Sequence, residues 1–166
     1  MVNLCFDMSI LSFFDAQRRY KYEGKGISSC NYPIGAVEKG TADIEYVRNC
    51  DGHIVNVVVN QIYIRNQEQE IHSSFSFMIP TCKVFYTQSL GSCFETEYRV
   101  EKRNHTIRLT YESTSYSAYL GKMVLRRTIS EKTPTGWNWK VYFFDEESQS
   151  FVMYFQGTFT QTNLDC

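Results

Sequence analysis

No apolar run in this chain approaches the ~18 residues that a membrane-crossing helix needs. The opening MVNLCFDMSILSFFDAQRR has no basic start and sets Asp7 ahead of a short apolar stretch, so no secretory leader is expected. A net charge of −1 excludes general attraction to nucleic acid or to an anionic membrane. The basic clusters Arg18, Arg19, Lys21 and Arg126, Arg127 read as solvated strand faces. The phosphate loop, the GxSxG elbow and HExxH are all missing. Cys5, Cys30, Cys50, Cys82, Cys93 and Cys166 form no CxxC, and His53, His72 and His105 fall on three different predicted hairpins, so no metal site is expected. With no leader, all six cysteines are expected as free thiols in a reducing compartment, which places the protein in the cytoplasm as a soluble chain. The lone sequon, Asn104-His105-Thr106, is then coincidental. Proline is scarce, at three, and the nine glycines mostly fall between apolar runs, where they punctuate strands.

What the chain has in excess is rings. Twelve Tyr, twelve Phe and two Trp make up 16% of it, and such side chains favour pleated, half-buried surfaces. A helix is predicted near residues 8–16, with Ile10, Phe13 and Phe14 on one side. Strands are predicted at 18–29, 40–50, 53–66, 69–79, 82–89, 93–102, 105–113, 116–129, 136–144 and 150–160. No helix-period segments alternate with them, so a parallel α/β sheet is excluded. The length fits one domain, 1–166, with a full core.

The apolar faces of paired strands must fall on one side, because a slip of one residue sends a face to solvent. Asp51-Gly52, read as a type I′ hairpin, sets Tyr46 opposite Val57 and Ile44 opposite Val59. Gln61 and Tyr63 then follow that face inside. A turn at Arg103-Asn104 sets Val100 opposite Ile107, Tyr98 opposite Leu109 and Thr96 opposite Tyr111. Around Gln67 an irregular turn is needed to oppose Gln61 to Phe75 and Val59 to Phe77. Near the C-terminus Val141 meets Met153, Trp139 meets Phe155 and Trp137 covers Gly157, given an odd-length loop or a bulge.

Antiparallel neighbours in chain order with one apolar face predict an all-β, up-and-down meander barrel of about ten strands with a short N-terminal helix. Over nearly the whole chain this pattern resembles the calycin superfamily, the barrels of lipocalins and fatty-acid-binding proteins. The resemblance is one of architecture. The first strand, YKYEGKGIS, carries Tyr22 and Gly24 but not the lipocalin Gly-x-Trp, and Arg127 is followed by Thr128 and Ile129 rather than completing an Arg-x-Tyr. It implies a small-molecule carrier or, as in bilin-lyase-like, nitrobindin-like and allene-oxide-cyclase-like barrels, pigment, haem or cyclase chemistry on the same frame.

The predicted interior holds polar-tipped rings, and a buried hydroxyl left unpaired costs on the order of 1–3 kcal/mol. Either these rings form a packed core with their hydroxyls at the barrel mouth, or they line a pocket for a flat, amphipathic ligand. The strand at 116–129 leaves two registers open: one turns Met123, Leu125 and Arg127 inward, the other Leu120, Val124 and Arg126. On the pocket reading, Gln61, Tyr63, Phe75, Tyr98, Tyr111, Trp139 and Met153 line the cavity. Arg127 then stands near the ligand's polar end, where a planar fork of donors suits a carboxylate. The leading expectation is a binding protein or carrier for a small hydrophobic molecule, aromatic or carboxylate-bearing, with a pigment or a fatty-acid-like ligand included and no dedicated cofactor. An enzyme on the same barrel, a pigment lyase or an isomerase, would need an inward ionisable group, for which Arg126, Arg127, Glu112 and His72 are the candidates. A solid barrel would instead be an interaction module, with a protein partner or a homodimer.

Overall fold

The computed structural model describes residues 8–15, 18–27, 35–117 and 120–162. Its order is α1 (Ile10–Phe13), β1 (Arg19–Gly26), β2 (Val37–Arg48), β3 (Ile54–Arg65), β4 (Gln69–Met78), β5 (Lys83–Gln88), β6 (Cys93–Arg103), β7 (Thr106–Ser117), β8 (Lys122–Thr133), β9 (Gly136–Asp145) and β10 (Ser150–Gln161). Side chains alternate between the two faces of a strand. In β1 this buries Tyr20, Tyr22, Gly24 and Gly26 while Arg19, Lys21, Glu23 and Lys25 stay exposed. Each strand pairs antiparallel with its chain neighbours and β10 returns to β1, so the sheet closes as a ten-strand meander barrel. Closure leaves no unpaired edge for these Tyr- and Val-rich strands.

The faces follow the expected alternation, but several turns sit elsewhere. Between β2 and β3 the expected pairs form, Tyr46 with Val57 and Ile44 with Val59. The turn that joins them is not the two-residue type I′ form, which needs φ above zero at both central residues. Only Gly52 takes positive φ there, at 83°. Gly52 N–H donates to the Asn49 carbonyl, and the Asn49 side chain accepts from the N–H groups of Asp51 and His53. The extra loop residue is absorbed by an irregularity between Val47 and Arg48, which restores the register.

The β6–β7 turn is centred one residue later than expected, on Asn104 and His105, both at positive φ. Every pair therefore moves by two: Tyr98 faces Tyr111 and Val100 faces Leu109. The three-residue β3–β4 turn comes one residue early, with Asn66 and Gln67 at positive φ, so Gln61 faces Ser73 and Val59 faces Phe75. In β10 the register shifts between Met153 and Phe155, and Trp139 rather than Trp137 faces Gly157. That bulge turns both Tyr154 and Phe155 inward and leaves Met153 on the other side of the strand.

The short α1 closes one end of the barrel. Ile10, Phe13 and Phe14 are buried, with the Phe14 ring 5.1 Å from Trp137 and 5.2 Å from Phe77. Tyr46 O–H donates to the Phe14 carbonyl, and Lys132 Nζ donates to the Ser12 carbonyl at 2.6 Å. Burying each large apolar side chain contributes roughly 1.5–3 kcal/mol, enough to offset ordering so short a segment. Cys82 is disulfide-bonded, which corrects the expectation of six free thiols; its partner lies outside the described residues. Cys50 and Cys93 are free and exposed. Cys5, Cys30 and Cys166 lie outside the described residues. No helix among the described residues is long and apolar enough to cross a membrane.

Candidate functional site

The two halves of the barrel interior differ. On the α1 side, rings pack against each other: Trp137 stacks on Phe159 at 4.3 Å and meets Tyr20 at 4.8 Å. A void of only about 30 Å³ remains among Phe14, Phe77, Trp137 and their neighbours. Towards the opposite end, where the β3–β4, β5–β6, β7–β8 and β9–β10 turns gather, the interior opens into a cavity of about 270 Å³. One water occupies ~30 Å³ of liquid, so this half is hollow on a molecular scale.

Aromatic walls shape the cavity. Phe75 and Tyr86 lie 4.6 Å apart, Tyr86 and Phe94 stack at 5.0 Å, and Trp139 meets Phe155 edge-on at 5.3 Å. Small residues make room: a Cβ on Gly157 would come within 2.9 Å of the Tyr22 ring and 3.3 Å of the Trp139 ring.

Two polar groups stand out on these walls. On β2, Glu38 is 2% exposed. Its Oε1 accepts from Tyr22 O–H and its Oε2 from Arg65 Nε, each at 2.8 Å. Burial pushes the Glu38 carboxyl up, and Arg65 and the Tyr22 hydrogen bond pull it back. On β8, Arg126 lines the cavity with its guanidinium 5.8 Å from the Tyr154 ring. Its Nε and Nη2 are buried with no hydrogen-bond partner, and among the described residues Arg126 makes no ion pair. A guanidinium cannot shed its proton, so it keeps a full positive charge in this interior. The remaining polar atoms are neutral: Gln88 Nε2 donates to the Tyr63 hydroxyl at 3.0 Å, and Ser73 O–H lies 3.4 Å from Gln61 Oε1. Burial raises the hydroxyl pKa of both Tyr63 and Tyr111, so both phenols stay protonated.

Of the residues expected from the sequence, Gln61, Tyr63, Phe75, Tyr111 and Trp139 meet on this cavity. Tyr98 lies in the closed half, its ring 5.3 Å from Phe77 and its hydroxyl donating to the Met78 carbonyl at 3.4 Å. Met153 is turned away by the bulge. Arg127 is on the outer face, bonded to Glu112 at 2.6 Å and lying over the Phe151 ring at 3.9 Å. The inward register of β8 is the one through Val124, Arg126, Thr128 and Ser130. Glu38 lies outside the sequence expectation, which starts this strand at residue 40; the alternation through Ile44, Ala42 and Gly40 extends back to it. Arg65 continues the inward series Gln61 and Tyr63 in the same way. Among the described residues no group of three or more His, Cys, Asp or Glu gathers into a metal site. No protein-family model, no curated protein and no solved structure matches this chain.

Proposed function

We propose that the barrel binds a small, largely aromatic or conjugated molecule that carries an anionic group, a carboxylate first among them. The observation that carries this is Arg126, a guanidinium on the wall of a 270 Å³ aromatic cavity whose Nε and Nη2 have no hydrogen-bond partner and which has no counter-charge among the described residues. A charged donor whose buried N–H groups lack acceptors is costly, and an anionic ligand relieves that cost. The ring-lined walls supply the apolar contact that most of a small ligand needs. The hollow mouth weighs against a solid interaction module. The plugged meander barrel supports the calycin-type reading, and the Cys82 disulfide fits an oxidising setting better than the cytoplasm.

Calorimetric titration with aromatic carboxylates and their primary amides tests the reading. The acids should bind about tenfold or more tightly than the amides, and Arg126→Gln should erase that preference. Equal binding of acid and amide by the native protein, or no binding of either, would overturn it.

A further inference from the structure

The cavity has a second pole, and we propose that it reads the far end of the same ligand: a neutral hydroxyl that donates to Glu38 while the carboxylate lies at Arg126. The ligand class is then an aromatic hydroxy acid. This rests on the carboxylate-binding reading above and extends it.

The two poles stand on opposite walls. In the closed ring of ten strands, β8 is five places from β3 in either direction and four from β2. Arg126 on β8 therefore faces the wall that carries Glu38 and Arg65. The poles also differ in charge. Among the described residues Arg126 has no counter-charge, whereas the Glu38 carboxyl is balanced by Arg65 at 2.8 Å. An anionic group is thus drawn to β8, and the balanced pole is left to accept a neutral donor. A carboxylate offers about four lone-pair positions. Tyr22 and Arg65 engage one oxygen each, so Glu38 keeps acceptor capacity on the cavity wall. A buried ion pair adds little to stability compared with well-packed apolar residues in its place. Its location on the lumen of an aromatic-walled cavity is accounted for by recognition.

Because both poles sit on a rigid sheet, the hydroxyl should help at one spacing only. Three pairs of acids test this by calorimetry: benzoate with 4-hydroxybenzoate, 2-naphthoate with 6-hydroxy-2-naphthoate, and biphenyl-4-carboxylate with 4′-hydroxybiphenyl-4-carboxylate. In one pair the hydroxyl should tighten binding about tenfold or more, the gain expected of a hydrogen bond to a charged acceptor. The Glu38→Met, Arg65→Met double variant removes both charges of the pair together and so avoids stranding either one. Within that variant the ratio of hydroxy acid to parent acid should fall to near one. If parent acids bind and the hydroxyl gives no gain in any pair, or if the gain survives in the double variant, this inference fails and the carboxylate reading stands. If no acid outbinds its amide, the carboxylate reading itself fails, and this inference with it.

Discussion

Arg126 turns into the cavity and Arg127 turns out, because successive side chains on a strand leave by opposite faces. Their energetics differ accordingly. Arg127 pairs with Glu112 where both side chains are more than a third exposed, and such pairs contribute less than about 1 kcal/mol. Arg127→Gln should leave the preference for acids over amides intact and shift the denaturation midpoint only slightly; loss of the preference in this variant would place the ligand on the wrong arginine. Glu38 makes a prediction of the opposite kind. Its carboxyl is raised above the ordinary 4.5, with burial as the largest cause. A group with a raised folded pKa holds its proton more tightly in the fold than in the unfolded chain. Its contribution to stability is full below the unfolded pKa and is lost as pH rises through the folded one. Thermal melts from about pH 4 to about pH 8 should show that loss in the native protein and a flatter profile in Glu38→Gln. Arg65→Gln, by removing the cation that lowers this pKa, should move the loss to higher pH. Superimposable profiles for the native protein and Glu38→Gln would contradict the assignment.

At the scale of elements, turns decided the details. Moving the centre of a turn by one residue moves every pair by two and leaves each face as it was. This is why Tyr98 and Tyr111 were legible as inward residues from a turn placed at Arg103-Asn104, although they face each other and not the partners expected. A bulge acts differently, since it reverses the faces on one side of itself. The bulge at Tyr154 removed Met153 from the interior that way and brought Tyr154 in. The helix α1 is short, but its plug is large. Phe14→Ala should cost about 3–5 kcal/mol, as truncation of a buried ring does, because Trp137 and Phe77 cannot collapse onto the gap from a closed sheet. Denaturant unfolding measures this; a loss below about 1 kcal/mol would mean that the segment does not seal the barrel.

For the whole molecule, closure and the disulfide set the conditions under which the site exists. Closing ten strands brings β2 and β3 opposite β8, so residues 38 and 126 share one cavity. The Cys82 disulfide removes two of six cysteines from the thiol pool. Titration under denaturing, non-reducing conditions should therefore count at most four thiols, and reduction should bring the count to six; six before reduction would refute the bond.

The alternation of rings and polar residues was enough to determine an antiparallel meander, its N-terminal helix and most of the inward faces. The strands and faces follow from a period of two and the helix from the spacing of Ile10, Phe13 and Phe14, patterns that are local and survive small errors in turn position. The alternation also marks Gln61, Tyr63, Phe75, Tyr111 and Trp139 as sharing the interior, and all five line the cavity. Three things needed the tertiary structure. The choice between Arg126 and Arg127 depended on the face that β8 shares with β7 and β9, because both faces of that strand are mixed. The burial of Glu38 depended on β3 holding β2 in register back to Glu38 itself, through Lys39 with Ile64 and Glu38 with Arg65. The division of the interior into a packed half and a hollow half depended on ring sizes meeting across the lumen, a sum over distant strands that no local pattern records.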